Sequence, residues 1–280
     1  MSYFNIKSHA KINIALNVVG KTNALHKIES LVSFLDLHDK IMIRKIRSNK
    51  HKIKFKGEFS NNIRSNNTVS NLLKILDKKK LLKDKYQIVV IKNIPTKAGL
   101  GGGSMNAANI LNFFIKKKFV KLKQKEVVKI LRLIGSDTIL GIYSKNLVLQ
   151  SNNSIKTPKI HKKINLLLVK PDFGCSTKNI YSEVKRYSKI SFNLISKNMF
   201  NIKHLKYMKN DLEIVAFKKY PKLKNLKSFL LKLPNIEFAR MTGSGSVIIA
   251  YFNSIKMCKD AQKKVKKQFR NYWCKISKTI

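Results

Sequence analysis

Acidic residues are scarce in this sequence of 280 residues, which holds 14 Asp and Glu against 59 Lys and Arg, for a formal net charge of +45. A basic surplus gathered on one face would indicate a nucleic acid or an anionic membrane as partner. Here the lysines are spread through every segment together with Ile and Asn, as a drift of overall composition would also produce. No arginine-rich or aromatic-interleaved tract stands out. We therefore expect no specific nucleic-acid partner, and an acid at a motif position is more informative than usual.

Cysteine and long apolar runs are scarce as well. Cys175, Cys258 and Cys274 are widely spaced and form no CxxC pair, which argues against a zinc site or a disulfide scaffold and fits a reducing cytoplasm. No uninterrupted apolar stretch approaches the ~20 residues of a membrane span, and the first residues lack the apolar segment of a signal peptide. We therefore expect a cytoplasmic protein with no membrane partner, large enough for one large domain or two moderate ones.

The most informative stretch runs from Tyr86 to Lys118. An apolar β-type run, residues 86–91, is followed by a loop with glycine at positions 99, 101, 102 and 103, and then by apolar residues at helical spacing. Glycines allow the backbone to adopt positive φ and to bring its N–H groups close to an anion, and the helix that follows adds a favourable dipole. The order strand, glycine loop, helix predicts a phosphate site and favours a nucleotide as ligand.

The rest of the chain reads as a mixture of strands and helices. Residues 9–18 alternate, with Lys11 and Asn13 on the face opposite Ile12 and Ile14, which predicts a half-buried strand that presents both polar side chains together. Further β-type runs cover residues 31–35, 40–46, 51–56, 164–171 and 247–252. Helical patterns cover residues 67–76, with Asn67 as N-cap, 125–134 and 257–269. This uneven interleaving predicts an α+β fold. A polar, lysine-rich stretch over 151–163 predicts a linker between domains 1–155 and 156–280.

The glycine loop resembles that of one known family. It lacks the Lys-Ser/Thr ending of a Walker A loop and the spacing of a dinucleotide fingerprint. Instead, Pro95-x-x-x-Gly-Leu-Gly-Gly-Gly-Ser104 resembles the phosphate loop of the GHMP kinases, which include galactokinase and the homoserine, mevalonate and phosphomevalonate kinases. Ala10-Lys-Ile-Asn-Ile14 resembles the family's opening motif, and Met241-Thr-Gly-Ser-Gly245 resembles its third motif, expected to pack against the phosphate loop. The resemblance spans nearly the whole chain and implies an N-terminal mixed α/β sandwich domain and a C-terminal ferredoxin-like domain.

The resemblance also implies roles for individual residues. Asp137 matches the aspartate that takes the proton from the substrate hydroxyl, and Lys11 matches the lysine at the phosphoryl-transfer centre. His26 would bind a cytosine base, Tyr181 would stack on it, and Asn13 and Thr177 would contact the substrate. The ATP triphosphate would be held by Pro95, Thr96, Lys97, Ala98, Gly99, Leu100, Gly101, Gly102, Gly103, Ser104 and Met105. Mg²⁺ is expected with ATP, although no residue is assigned as its ligand.

The implied activity is ATP-dependent phosphorylation of a small-molecule alcohol. Within the family the chain is most similar to the member whose substrate is a cytidine diphosphate conjugate of methylerythritol. It departs from that pattern at Ala24-Leu25, where the family has Gly-Tyr, at Met105, where it has Ser, and at Thr138-Ile-Leu-Gly141, where it has Val-Pro-Phe-Phe. Two alternatives stay open: a GHMP kinase with another substrate, and a degenerate kinase acting as a basic nucleic-acid-binding protein. Salt-sensitive, sequence-indifferent nucleic-acid binding is all that the charge alone predicts.

Overall fold

The structure, a computed structural model, describes residues 2–22, 25–61, 63–143, 145–158, 163–196 and 198–280. Ala24 and residues 159–162 of the predicted linker lie outside the described residues. The chain forms two compact units that are each discontinuous in sequence. Unit 1 comprises Met1–Ala10, Leu37–Thr96 and Gly101–Ser144, and unit 2 comprises Lys11–Asp36, Lys97–Leu100 and Lys145–Ile280. The single domain boundary near residue 155 stays a prediction.

Two long paired strands, β1 (Phe4–Lys21) and β2 (His26–Ile46), contribute residues to both units. The predicted strand over residues 9–18 is present, but the prediction that it is half-buried is wrong. Ala10–Val18 are buried on both faces, with Lys11 only 2% exposed and Asn13 only 4% exposed. Buried polar groups require hydrogen-bond partners, and those of Asn13 lie on Ser30 and Thr242, far along the chain.

Unit 1 is a small sheet covered by helices. The Lys40–Ile46 part of β2 pairs antiparallel with β4 (Lys85–Ile91), and β3 (Lys52–Lys56) pairs parallel with β4. The helices are α1 (Thr68–Lys78), α2 (Gly102–Lys116), α3 (Gln124–Ile134) and a 3₁₀ helix (Ser136–Ile142). The apolar faces of these strands and helices form one buried cluster. Asn67 is the N-cap of α1, as predicted, and accepts hydrogen bonds from the N–H groups of Val69 and Ser70.

Unit 2 contains a four-stranded antiparallel sheet. Its order is β10 (Trp273–Lys278), β7 (Asn165–Lys170), β9 (Ile248–Phe252), β8 (Phe238–Met241). The short strands β5 (Leu147–Leu149) and β6 (Ile155–Lys156) extend the Ser30–Val32 part of β2. The helices are α4 (Thr177–Tyr181), α5 (Ile202–Leu205), α6 (Leu212–Lys219), α7 (Pro221–Leu231) and α8 (Ile255–Gln268).

Mixed and antiparallel sheets with helices packed on them confirm the α+β prediction. Among the helices of the described residues, none has both the length and the apolar character needed to cross a bilayer.

One ion-paired carboxylate in unit 1 makes stability depend on pH. Asp77 of α1 accepts hydrogen bonds from Lys85 Nζ at 2.8 Å and His51 Nε2 at 3.2 Å. Burial alone would raise the pKa of Asp77, but these two partners together outweigh burial and hold it below its usual value. A depressed carboxylate pKa adds stability above the group's ordinary pKa near 4, and that stability is lost as the pH falls through the depressed value.

We therefore expect Asp77→Asn to lower the free energy of unfolding by about 1 kcal/mol at pH 7, because the pair is about one-third exposed and partly screened. The difference in melting temperature between wild type and variant should shrink as the pH is lowered from 6 to 3. Thermal unfolding followed by circular dichroism at each pH measures it. A difference that stays constant down to pH 3 would contradict the assignment.

Candidate active site

The glycines of the phosphate loop serve two different purposes. Gly99 (φ +77°) and Gly101 (φ +67°) adopt the left-handed conformation that disfavours other residues. Gly102 and Gly103 instead begin helix α2, so positive φ explains only two of the four glycines. At Gly102 a Cβ would lie 3.0 Å from Ile94 Cγ2, and at Gly103 it would lie 3.2 Å from Thr68 Oγ1. These two glycines let neighbouring side chains approach the start of the helix closely.

The N-terminus of α2 is suited to an anion. Gly101 is its N-cap and supplies no side-chain hydrogen bond, and no acidic residue lies in the first turn. The first N–H groups of a helix have no acceptor within the helix, and the helix dipole makes this end favourable for negative charge. The local geometry therefore leaves these N–H groups without a side-chain cap and suits an anion such as phosphate.

Residues 97–100 of the loop belong to unit 2, where they contact the third motif and β1. Val247 N–H donates to the carbonyl of Ala98 at 3.3 Å, and Lys11 N–H donates to the carbonyl of Leu100 at 3.0 Å. A Cβ at Gly99 would stand only 2.1 Å from the carbonyl oxygen of Thr242, so no other residue fits there without a shift. The prediction that the Met241–Gly245 turn packs against the loop is confirmed.

Lys11 and Asn13 lie side by side on β1, as the alternating pattern predicts. Lys11 Nζ donates to Asn13 Oδ1 at 2.6 Å, and Asn13 Nδ2 donates to Ser30 Oγ at 2.8 Å. Ser30 Oγ in turn donates to the carbonyl of Ala15 at 2.7 Å, while Asn13 N–H donates to Thr242 Oγ1 at 2.9 Å. Because an ammonium can only donate, this series fixes the orientation of the Asn13 amide and the position of the Lys11 ammonium.

Asp137 lies in unit 1, on the first turn of the 3₁₀ helix that follows α3, and its side chain is half-buried. Later in the same helix, a Cβ at Gly141 would lie 2.5 Å from Ala108 Cβ and 3.3 Å from Met105 Sδ. The family pattern has Phe at position 141 and Ser at position 105, so the large and small residues have exchanged places. Ala108 and Met105, which are both fully buried, occupy space that a side chain at position 141 would need.

His26 and Tyr181, which the resemblance assigns to one base, are neighbours in unit 2. Their ring centroids are 5.3 Å apart, at an interplanar angle of 39°. Thr177 Oγ1, at the start of α4, is 2.9 Å from Ser244 Oγ in the turn of the third motif. Burial and, to a lesser extent, the positive charge of Lys21 lower the pKa of His26. Both effects favour the neutral imidazole near pH 7. Leu25, just before it, exposes 64% of its surface.

Several residues that shape this region have no motif that singles them out. Ser30 and Thr242 hold Asn13, and Arg240 donates to the backbone carbonyls of Ile14 and Leu205, which links β8 to β1 and α5. Asp39 is fully buried beside the ends of the phosphate loop. In the sequence, only the scarcity of acids points to Asp39, because acids such as those between the apolar runs 31–35 and 40–46 are unusual in this chain.

Comparison with known proteins identifies the family. A model of the GHMP kinases N-terminal domain matches residues 67–144, and a model of the GHMP kinases C-terminal domain matches residues 184–274. The 4-diphosphocytidyl-2-C-methyl-D-erythritol kinase of Pelagibacter ubique (strain HTCC1062) is 56% identical over 281 residues, which cover 100% of both chains. The kinase of the same name from Thermodesulfovibrio yellowstonii is 32% identical over 98% of this chain and 97% of its own.

Solved structures agree on the fold. A crystal structure of 4-(cytidine 5'-diphospho)-2C-methyl-D-erythritol kinase aligns with a TM-score of 0.78 at 19% identity, covering 98% of this chain and 99% of that one. The homoserine kinase of Cytophaga hutchinsonii aligns with a TM-score of 0.72 at 13% identity, covering 100% of this chain and 95% of that one. The two-domain α+β architecture expected from the motifs is thereby confirmed. With two family models matched in order and a relative that is 56% identical along the full length, the chain belongs to the GHMP kinase family.

Proposed function

We propose that this protein transfers the γ-phosphoryl group of ATP to the 2-hydroxyl of 4-diphosphocytidyl-2-C-methyl-D-erythritol, a step of the non-mevalonate isoprenoid pathway. The main support is the full-length identity of 56% with the relative from Pelagibacter ubique that is named for this substrate. The motif residues Lys11, His26 and Asp137 are all present in the order of the family's motifs.

The phosphate loop, Pro95–Met105, would hold the ATP triphosphate. Left-handed glycines and an uncapped helix N-terminus present backbone N–H groups to phosphate oxygens, which supports this assignment. Bound Mg²⁺ would neutralise charge on the β- and γ-phosphates. Among the described residues, no group of three or more His, Cys, Asp or Glu could hold a metal ion. No residue is therefore assigned as a ligand of Mg²⁺.

Asp137 is the proposed general base, and Lys11 the proposed cation at the transfer centre. As the hydroxyl oxygen of the substrate forms its bond to the γ-phosphorus, the bond from that phosphorus to the bridging oxygen of ADP breaks. The hydroxyl proton passes to the Asp137 carboxylate. Lys11 would offset negative charge on the transferring group, and its ammonium is held for that task by Asn13. ADP leaves with the bridging oxygen, so charge and atoms balance.

The base of the substrate would be held by His26 and Tyr181. A neutral imidazole offers one N–H donor and one acceptor, which suits the polar edge of cytosine. The Tyr181 ring, beside His26, would stack on the base, an interaction worth about 1–3 kcal/mol. Thr177 and Asn13 complete the proposed set of substrate contacts. Because Leu25 replaces the family's tyrosine, the second aromatic partner of the base is missing. We therefore expect the base to bind more weakly, with the activity retained.

Removing the proposed base should abolish turnover while leaving nucleotide binding intact. We expect Asp137→Asn to lower kcat by about 10²–10⁴-fold, because general base catalysis contributes that much. Lys11→Met should lower kcat by about 10²–10³-fold through lost charge stabilisation. In both variants the dissociation constant for ATP should stay within about threefold of the wild-type value, since neither side chain belongs to the loop. Coupled ADP release and calorimetric titration measure the two quantities.

Asp260→Asn, on α8, is the matched control, because it makes the same chemical change outside the proposed site. Turnover by Asp137→Asn equal to that of this control would remove Asp137 from its role. ATP consumption by the wild type with mevalonate or homoserine, but not with the cytidyl substrate, would assign a different specificity.

The lowered pKa of His26 predicts a pH dependence of substrate binding. Above its ordinary pKa of about 6.5 the imidazole is neutral, and it stays neutral below that pH because burial and Lys21 disfavour its charged form. As the pH falls, the KM for the cytidyl substrate should therefore stay constant through pH 6.5. It should rise only when the pH approaches the lowered pKa of His26. Lys21→Gln should move the onset of this rise to higher pH, because it removes one of the two causes. Steady-state kinetics between pH 5 and 8 measure the onset.

The KM for ATP serves as the internal control over the same pH range. In His26→Asn the rise attributed to the imidazole should be absent and the KM for the cytidyl substrate should be high at every pH. A rise of the same size and onset in His26→Asn would show that another group titrates.

A further inference from the structure

Asp39 is a fully buried carboxylate that the chemistry proposed above does not use. It lies on β2 in unit 1, and each of its oxygens accepts two hydrogen bonds. Oδ1 accepts from the N–H groups of Asn93 at 2.8 Å and Ile94 at 2.9 Å. Oδ2 accepts from Asn106 Nδ2 at 2.9 Å and from the ammonium of Lys92, with which it forms an ion pair. The carboxylate is therefore completely surrounded by donors.

These donors come from the two ends of the phosphate loop. Asn93 and Ile94 immediately precede Pro95, and Asn106 immediately follows Met105. One carboxylate thus joins the start of the loop to helix α2, where the loop ends. Lys92 also reaches this junction, since a Cβ at Gly102 would stand 3.2 Å from its Nζ. Gly102 is the residue whose lack of a side chain leaves room for the ammonium beneath the first turn of α2.

A buried ion pair of this kind is not explained by stability. Moving two charges out of water costs several kcal/mol per ion, and replacing such pairs by apolar residues is often neutral or stabilising. What four directed hydrogen bonds on one carboxylate do provide is a fixed geometry for the backbone and side chains that donate them. The groups whose geometry is fixed here are those that begin and end the loop.

We propose that Asp39, with Lys92 as its counter-ion and Asn106 as its link to α2, is a positioning residue that holds the phosphate loop ready for ATP. This inference rests on the proposed function, in which the loop binds the triphosphate. Asp39 is not a catalytic residue, because it acts through the loop. A loop that is not held in place must be ordered by the nucleotide, so ATP affinity falls. Binding of the alcohol substrate should change little.

Asn106→Leu tests the link to α2 by itself. Leu has nearly the same shape as Asn, and the Lys92 ammonium keeps Asp39 Oδ2 hydrogen-bonded, so the stability lost should be limited to that of one hydrogen bond. The ion pair of Asp39 and its bonds to Asn93 and Ile94 remain. We expect a melting temperature close to that of the wild type, together with a KM and a dissociation constant for ATP raised about tenfold. The KM for the cytidyl substrate should stay within about twofold.

Two further variants separate positioning from stability. Asp39→Asn leaves the Lys92 ammonium buried without its counter-ion, so both the melting temperature and ATP affinity should fall. The double variant Asp39→Asn/Lys92→Met removes both charges and should recover most of the melting temperature, but not ATP affinity. Asp77→Asn is the matched control, since it makes the same change at another lysine-paired carboxylate of unit 1. It should lower the melting temperature and leave the KM for ATP unchanged.

The results distinguish this proposal from the function on which it rests. Suppose that the wild type phosphorylates its substrate with ATP, and that the KM for ATP of the four variants rises only in proportion to their loss in melting temperature. This result would overturn the positioning role alone. An unchanged KM for ATP in Asn106→Leu would also overturn it. Absence of any ATP binding by the wild type would overturn the proposed function and this proposal together.

Discussion

The burial of a few carboxylates, each saturated with hydrogen-bond donors, is the constraint on which much of this structure depends. In a chain with 59 basic residues and 14 acids, cationic side chains are abundant. The oxygens of a buried carboxylate nevertheless need hydrogen-bond donors that lie close to them. In unit 1, Asp39 accepts from the N–H groups of Asn93 and Ile94, just before the phosphate loop. In unit 2, Glu29 accepts from the N–H groups of Ser191 and Phe192, and Glu213 accepts from the N–H of Met241. Asp39 and Glu29 bind irregular backbone, and Glu213 binds the last N–H of the edge strand β8, so these acids satisfy N–H groups that strand pairing alone would leave without an acceptor.

The fold could be predicted where a local pattern decides the structure. The strand, glycine loop and helix over residues 86–116 and the Asn67 cap follow from neighbouring residues alone. Residues 31–35 and 40–46 were predicted as separate strands, whereas β2 runs unbroken from His26 to Ile46, because Asp36, His38 and Asp39 lie within the strand and not in a turn. Strands of two or three residues, such as β5 and β6, are too short to show a period.

The candidate site shows the same division between local and distant causes. The alternating pattern predicted that Lys11 and Asn13 lie side by side, and the glycine run predicted positive φ, which holds at Gly99 and Gly101 but not at Gly102 and Gly103. The pattern could not predict that a strand with lysine and asparagine on one face would be buried on both, because Asn13 also bonds to Ser30 and Thr242, which are 17 and 229 residues away. Contacts at such separation leave no periodic trace in a single sequence. The role of Asp39 leaves no such trace either, since its donors lie 53–67 residues further along the chain.

The departures from the family pattern bear on whether this is a working enzyme or a relic. Relaxed selection would leave substitutions that do not fit one another, and a large residue introduced into a packed interior typically costs 1–3 kcal/mol. Here Met105 replaces a small residue and Gly141 replaces a large one, and a Cβ at Gly141 would lie 2.5 Å from Ala108 Cβ and 3.3 Å from Met105 Sδ. The lack of a side chain at position 141 leaves room for the Met105 side chain beside Ala108, so the two changes fit one another in a packed interior. The paired exchange therefore favours a site that has been repacked and maintained over one that has decayed.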